Sequence, residues 1–386
     1  MNTPENDSFK EIRPYYDHEV YDVVQEVIHN PELINAICQF RFPQLNKSFG
    51  FLLRPLVRRK LKSQFATIKT IADFQSQVAS YMDRLIRNST DGFTVSGLEE
   101  LNTNKAYLFI ANHRDIAMDP AFVNYALYQA GRNTVRIAIG DNLLQKPVVS
   151  DIMRLNKSFI VKRSAKGVRE MMKTLTQLSG YINYSLLEEK HSIWIAQKEG
   201  RAKDGIDITD PAIVKMFFMS RKKKGSGPSF ADVINELNIV PVTISYEYDP
   251  CDEMKAQELN ALATDGSYNK GEFEDIDSIV KGISGQKGRV HVHFAQPISG
   301  DFENANEAAA LIDHQIWGNY HFYPSNWLAL EALGGFDDLD GKPTITDQER
   351  AKFNQRIENV PEALRPYLLK MYANPILNSR GLIKPD

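Results

Sequence analysis

The sequence predicts an α/β fold in which a mixed sheet is covered by helices and preceded by a helical region. From about residue 93, short apolar runs rich in branched and aromatic residues alternate with helical periodicity, the order expected of strands joined by helices. The 386 residues are enough for one large α/β domain and a smaller helical one. We therefore predict a helical region over residues 1–90, the α/β domain over 91–300 and a helical extension over 301–386.

The N-terminal region contains two long helical patterns. Apolar residues recur at helical spacing over residues 20–28, where Asn30-Pro31 ends the helix, and again over residues 68–85. The segment between them, residues 49–62, mixes large apolar residues with five basic ones, the composition of a helix at a membrane surface. A helix packed on the core with a solvated basic face has the same composition, so both interpretations stay open.

The α/β region is predicted from its buried strands. Apolar runs indicate strands over residues 107–111, 135–139, 159–161, 192–196 and 239–245, and a more exposed strand over 290–294. A long helix is predicted through residues 168–182. Residues 221–228 have the composition of a mobile basic loop, and residues 250–287 that of a polar surface excursion.

Composition excludes several classes of protein. The net charge of −3 argues against a nucleic-acid partner, and two cysteines provide neither a disulfide framework nor a zinc set. Residues 1–7 are polar and acidic, unlike a signal peptide, and no stretch reaches the ~18 apolar residues of a spanning helix. We expect a cytoplasmic protein, peripheral on a membrane surface. His291 and His293 share a strand face, but no third ligand is evident, so no metal site is predicted.

One polar turn stands out at a strand end. The strand that ends at Ala111 runs into a turn with His113 and Asp115, and a helix opens at Asp119-Pro120. Ligands of α/β sheets bind beyond the carboxyl ends of the strands. A neutral imidazole there can take a proton from a hydroxyl while a carboxylate fixes its tautomer. Alternatively, Asp119 before Pro120 is simply an N-cap followed by a good first helical residue.

Four blocks in this region together resemble the glycerolipid acyltransferase superfamily. The first is a His followed by an Asp, here His113 and Asp119. The second runs FIVKRSAKG over residues 159–167 and is especially similar to the glycerol-3-phosphate branch. The third is Glu199-Gly200-Arg201, and the fourth places Pro241 inside an apolar strand. Their order along the chain is that of the family.

The resemblance implies a direct acyl transfer. His113 would deprotonate the acceptor hydroxyl, which attacks an acyl thioester without an acyl-enzyme intermediate. The resemblance also implies that five residues bind the acceptor and its phosphate and that one residue lines the acyl pocket. These residues are Arg163, Lys166, Glu199, Gly200 and Arg201 for the acceptor, and Pro241 for the acyl pocket. A guanidinium suits a phosphate because its fork matches the oxygens and stays charged, although an exposed Arg also forms ordinary surface salt bridges.

The implied partners are an acyl thioester donor, a phosphorylated glycerol acceptor and a membrane surface. No cofactor is implied beyond acyl-CoA or acyl-carrier protein as co-substrate, and the acceptor is either glycerol-3-phosphate or lysophosphatidate. Two other functions stay open: a metal-dependent phosphoester hydrolase using His113, Asp115 and Asp119, and a catalytically silent lipid-binding homologue.

One departure from the family pattern concerns the first block. Five residues instead of four separate His113 from Asp119, and four would place Met118 in the role of the carboxylate. Either the turn bulges by one residue so that Asp119 still reaches the imidazole, or Asp115 takes its place. We favour Asp119, because Asp-Pro opening the helix also resembles part of the family.

Overall fold

The structure, a computed structural model, describes residues 7–223, 225–271, 273–335 and 339–383. Residues 1–6, used above in the prediction of location, and Lys224 of the basic loop lie outside these ranges. The α-helices are α1 Asp17–His29, α2 Pro31–Arg41, α3 Pro43–Phe65, α4 Ile71–Ser89, α5 Met118–Gln129, α6 Pro147–Leu155, α7 Val168–Leu187, α8 Pro211–Phe218, α9 Phe230–Glu236, α10 Asp252–Asp265, α11 Glu274–Ser284, α12 Ala305–Gly318, α13 Pro324–Ala332, α14 Asp347–Glu358 and α15 Arg365–Ser379. The strands are β1 Gly92–Ser96, β2 Leu108–Ala111, β3 Arg136–Gly140, β4 Ser158–Val161, β5 Ile193–Ala196, β6 Ile239–Tyr246 and β7 Arg289–Phe294.

The chain divides into two compact units, which are described separately. The first comprises Met1–Tyr81 and Arg136–Thr174, and the second Met82–Val135 and Leu175–Asp386. The predicted domain boundaries after residues 90 and 300 stay predictions.

The first unit contains the N-terminal helices. The predicted apolar face of α1 is buried and packs with apolar residues of the α4 region and of α6, among them Phe74 and Leu155. Asp17 Oδ1 accepts the backbone N–H of Ile71 at 2.8 Å, which joins the starts of α1 and α4. Strands β3 and β4 pair in parallel. The predicted N-terminal helical region is therefore confirmed.

The second unit contains a mixed sheet with the strand order β1-β7-β6-β2-β5. Strand β7 runs antiparallel to β6, while β1 pairs with β7, and β2 with both β5 and β6, in parallel. All eight residues of β6 and all four of β2 are buried, as the continuous apolar runs predict for strands covered on both faces. The predicted fold class, a mixed sheet with flanking helices, is confirmed.

The parallel strands β5, β2 and β6 are neighbours and end at the same edge. In the register of the sheet, Ala111 lies between Ala196 and Val242. The segments that follow β2 and β5 therefore leave the sheet side by side, and these segments carry the first and third sequence blocks.

The prediction of a surface excursion over residues 250–287 is wrong. This segment forms α10 and α11, and it buries Lys255, Ser278 and Gly282. Polar composition misled the prediction because the charge of Lys255 is paired with Asp249 inside the protein, which lets a charged residue be buried. After residue 300 the chain is helical, as predicted, and α13 to α15 pack in a cluster that includes Tyr248.

Candidate active site

The imidazole of His113 contacts Asp119 directly. His113 Nδ1 lies 2.8 Å from Asp119 Oδ2, and the His113 side chain is 14% exposed while that of Asp119 is fully buried. Because a carboxylate only accepts, Nδ1 carries the proton of the neutral ring and Nε2 presents its lone pair. Among the described residues, Nε2 has no hydrogen-bond partner. The ring is therefore set up as a proton acceptor.

Asp119 holds the whole turn as well as the imidazole. Its Oδ2 also accepts the backbone N–H groups of Arg114, at 2.6 Å, and Asp115, at 2.9 Å. Its Oδ1 accepts the hydroxyl of Tyr246 at 2.7 Å. Four donors thus satisfy a carboxylate that water cannot reach, which is what a buried charge requires.

Asp115 has a different position. Its Oδ1 accepts the backbone N–H groups of Ala117, at 2.9 Å, and Met118, at 2.8 Å, at the start of α5. The alternative interpretation, in which Asp119 is the N-cap, is therefore wrong, because α5 begins at Met118 and Asp119 is its second residue. Burial, together with the charge of Asp119, raises the pKa of Asp115 to about 6. Its carboxylate does not contact His113.

The third block lies beside His113. The backbone N–H of Ala202, directly after Arg201, donates to His113 O at 2.8 Å. Arg114 strengthens this junction: its guanidinium donates to the carbonyls of Ala202 and Gly205 and to Asp207 Oδ2 at 2.5 Å. Although burial opposes its charge, Asp207 holds the pKa of Arg114 above its ordinary value.

Within the third block, Arg201 is half-buried and incompletely satisfied. Its Nη2 lies 3.4 Å from Ser278 Oγ, and its Nη1 is a buried nitrogen that has no partner among the described residues. Gly200 has φ +76°, a left-handed conformation that favours glycine, and it is exposed, as is Glu199. Within the described residues, no carboxylate forms a hydrogen bond with this guanidinium.

Pro241 and Trp194 belong to the strands beneath the turn. Pro241 is buried in β6, paired with Ile110, and its carbonyl accepts the N–H of Ala295 at 2.9 Å. The ring of Trp194 lies edge-on to that of His113, with centroids 5.9 Å apart. The predicted role of Pro241 in an acyl pocket stays a prediction.

The second block belongs to the first unit. Arg163 and Lys166 are both exposed in the segment between β4 and α7. Asp141 organises the start of this segment, because its carboxylate accepts the N–H groups of Arg163 and Ser164. Lys162 is paired with Glu11 at 2.7 Å. The phosphate-binding role of Arg163 and Lys166 stays a prediction.

His291 and His293 form a hydrogen-bonded cluster. His291 Nε2 and His293 Nδ1 both contact Ser96 Oγ, at 2.9 and 2.8 Å. Across the described ranges, no group of three or more His, Cys, Asp and Glu side chains could hold a metal ion. His113 pairs with Asp119, and the carboxylates of Asp119 and Asp115 accept backbone N–H groups of the turn.

Three side chains behind the turn were not predicted from the sequence. They are Tyr246, Asp207 and Lys255, which contact Asp119, Arg114 and the carbonyl of Arg114 respectively. Lys255 is paired with Asp249, and this charge, despite burial, lowers the pKa of that carboxyl. Tyr246 lies at the end of the buried strand β6, which also contains the polar residues Thr243 and Ser245, so its sequence alone did not single it out.

A match to a family model agrees with the four blocks. Residues 92–245 match the family model described as Acyltransferase. Among solved structures, the chain is similar to the 1-acyl-sn-glycerophosphate (LPA) acyltransferase PlsC from Thermotoga maritima, at 15% identity and a TM-score of 0.33, covering 74% of this chain and 92% of that one. No curated protein sequence matches significantly.

The matched residues contain all four sequence blocks and the whole turn from His113 to Asp119. The resemblance drawn from those blocks is thereby confirmed. Residues 92–245 therefore form an acyltransferase domain, and the protein is an acyltransferase.

Proposed function

We propose that this acyltransferase moves a fatty acyl group from an acyl thioester to the hydroxyl of a phosphorylated glycerol, in phospholipid biosynthesis. The observation that supports it most is the 2.8 Å contact between His113 Nδ1 and the buried Asp119 carboxylate. This contact fixes one tautomer, in which Nε2 is the basic nitrogen. A positioned base of this kind contributes about 10²–10⁴-fold to a rate.

The reaction then needs only His113 as a proton carrier. Nε2 takes the proton of the acceptor hydroxyl as its oxygen attacks the thioester carbonyl, and Asp119 stabilises the imidazolium that forms. The tetrahedral intermediate collapses with cleavage of the carbon–sulfur bond, and the imidazolium returns the proton to the leaving thiolate. The products are the ester and the free thiol, and the imidazole is neutral again.

Arg201 supports a phosphorylated acceptor. Its loop is bonded to His113 through Ala202, and its Nη1 has no partner among the described residues. Phosphate is an anion that a guanidinium binds through charge-assisted hydrogen bonds. We propose that Arg201 binds the acceptor phosphate, and the phosphate-binding role of Arg163 and Lys166 in the first unit stays a separate prediction.

The test is thiol release from acyl-CoA and acyl-carrier protein against glycerol-3-phosphate, lysophosphatidate and unphosphorylated glycerol. Arg201→Ala and Arg163→Ala should each weaken acceptor binding by roughly 1.5–3 kcal/mol, with the KM for the donor unchanged. The control is Lys203→Ala, which removes a cation from the loop that carries Arg201. Lys203 is paired with Glu258 of α10. Unchanged acceptor saturation in both arginine variants would contradict the phosphate site, and activity lost to a strong chelator would favour the metal-dependent alternative.

We also propose that the protein associates with membrane surfaces through residues 49–62. In α3, which has non-helical backbone at Phe49, the side chains of Phe51, Leu52 and Leu56 are 69%, 53% and 62% exposed. Basic side chains on the same helix are exposed as well. Within the described ranges, no helix is both long and apolar enough to cross a membrane.

Vesicle flotation tests this association. Joint reversal of Arg58, Arg59 and Lys60 to Glu should weaken binding to anionic vesicles by about 3 kcal/mol or more, at about 1 kcal/mol for each basic residue. Reversal of the exposed Lys222 and Lys223 controls for net charge. Undiminished binding in the triple variant would identify the segment as an ordinary packed helix.

A further inference from the structure

The hydroxyl of Tyr246 meets the one carboxylate oxygen of Asp119 that faces away from the turn. Oδ2 accepts the three donors of the turn, whereas Oδ1 accepts Tyr246 Oη at 2.7 Å and has no other hydrogen bond within the described residues. We propose that Tyr246 is a positioning residue for acyl transfer, which fixes the Asp119 carboxylate and thereby the orientation of His113. This inference rests on the proposed role of His113 as the base.

The fold places Tyr246 there by extending the pairing of β6 with β2. Strand β2 ends at Ala111, but the side chain of Asn112 continues the ladder: its Oδ1 accepts Ile244 N–H at 2.7 Å, and its Nδ2 donates to Ile244 O at 3.1 Å. Asn112 directly precedes His113, and Ile244 lies two residues before Tyr246. The same two hydrogen bonds therefore set the register of the base and of the tyrosine.

Tyr246 is suited to donating a hydrogen bond and to nothing else at this position. It is 6% exposed, and its ring packs edge-on against Phe122, with centroids 5.8 Å apart. Burial and the charge of Asp119 raise its pKa well above the ordinary value, so the phenol stays protonated. Being buried against Asp119, it is not a group that substrate contacts.

Without the Tyr246 hydroxyl, the Asp119 carboxylate loses the only hydrogen bond that Oδ1 accepts among the described residues. Oδ1 would be a buried anionic oxygen with no partner, which is costly, and the carboxylate could turn about its terminal torsion to relieve it. Because the bond to His113 is made by Oδ2 of the same carboxylate, such a turn would misalign the imidazole. Tyr246 thus acts on catalysis only through Asp119.

The experiment is a double-mutant cycle on kcat with Tyr246→Phe and Asp119→Asn. Phenylalanine keeps the ring that packs on Phe122 and removes only the hydroxyl. We expect Tyr246→Phe alone to lower kcat by about 10- to 100-fold, the range for one hydrogen bond to a charged group, with the KM of both substrates unchanged. In the Asp119→Asn background the same change should have almost no further effect.

The control is Tyr248→Phe, a buried tyrosine two residues further on. Its ring contacts the cations of Lys352 and Arg356 and is not bonded to Asp119. It should leave kcat unchanged. Urea titrations of all variants separate a loss of fold from a loss of rate, because a merely structural tyrosine would lower stability and leave kcat per folded molecule intact.

Two results would overturn the inference: Tyr246→Phe with wild-type kcat, or an equal loss in both backgrounds. The cycle uses whichever thioester and acceptor the wild type turns over fastest. Rejection of every glycerophosphate by the wild type would therefore contradict the proposed substrate class and not the role of Tyr246. Full activity of His113→Ala would contradict the proposed base and, with it, this inference.

Discussion

Replacing Asp119 by asparagine tests the pairing on which the proposed mechanism depends. The buried carboxylate accepts hydrogen bonds from His113, from two backbone N–H groups and from Tyr246. An amide oxygen can keep the backbone bonds, but it carries no charge to stabilise the imidazolium. By analogy with the aspartate of hydrolase triads, kcat should fall by about 10³–10⁴-fold, which corresponds to about 4–5.5 kcal/mol of barrier.

The assay is steady-state thiol release with both substrates saturating, and thermal melting verifies that the variant folds. Asp115→Asn is the matched control, because Asp115 accepts the N–H groups at the start of α5 and asparagine is an equally good acceptor there. We expect its kcat to stay within about threefold of wild type. Comparable losses in the two variants, or a larger one in Asp115→Asn, would refute the assignment of Asp119 to the imidazole.

Three predictions concern stability and are measured by urea titration. Since burial raises the pKa of Asp115 to about 6 from 3.8, ionisation destabilises the fold, so stability from this group is present at low pH and lost as pH rises through about 6. The stability advantage of Asp115→Asn should then grow by up to about 3 kcal/mol between about pH 4 and 7, and a pH-independent difference would contradict this. Gly282→Ala places a Cβ against the Asp115 carboxylate, closer than van der Waals contact allows, and should destabilise the fold by about 1–3 kcal/mol; Gly318→Ala, whose added Cβ meets no neighbouring group, should not. Lys255→Met leaves the buried Asp249 unpaired and should cost about 3–5 kcal/mol; a neutral effect would show that the pair contributes nothing.

The central strands could be predicted because each one is marked by the apolar residues of its own short segment. Strands β2, β5 and β6 are continuous apolar runs, and the predicted residues 107–111, 192–196 and 239–245 differ from the observed bounds by one residue. The end of α5 is likewise determined locally, because Gly131, which follows the helix, has φ +69°, a conformation that other residues rarely adopt. The order of the motifs gave the resemblance to acyltransferases, which the family-model match over residues 92–245 confirms.

What could not be predicted depends on contacts between distant parts of the chain. Strand β1, Gly92–Ser96, is half-exposed and short, and it becomes a strand by pairing with β7 nearly 200 residues later, as in Thr94 with His291. The bond from Tyr246 to Asp119 joins residues 127 positions apart. Nothing in either local sequence specifies the other partner, so composition alone could not find these contacts.

The extra residue between His113 and Asp119 is accommodated because the turn is held by hydrogen bonds from its backbone N–H groups to carboxylate side chains. A carboxylate reaches its donors through rotatable bonds, so Asp119 can accept the N–H groups of Arg114 and Asp115 from the second position of α5. Met118, which the four-residue spacing would put in the role of the carboxylate, instead begins the helix, and its N–H is bonded to Asp115. The longer turn therefore divides two tasks between two carboxylates: Asp115 satisfies the helix start, and Asp119 holds the imidazole. Because only the second task touches the reacting group, the two asparagine variants should differ in rate although both residues are buried in the same turn.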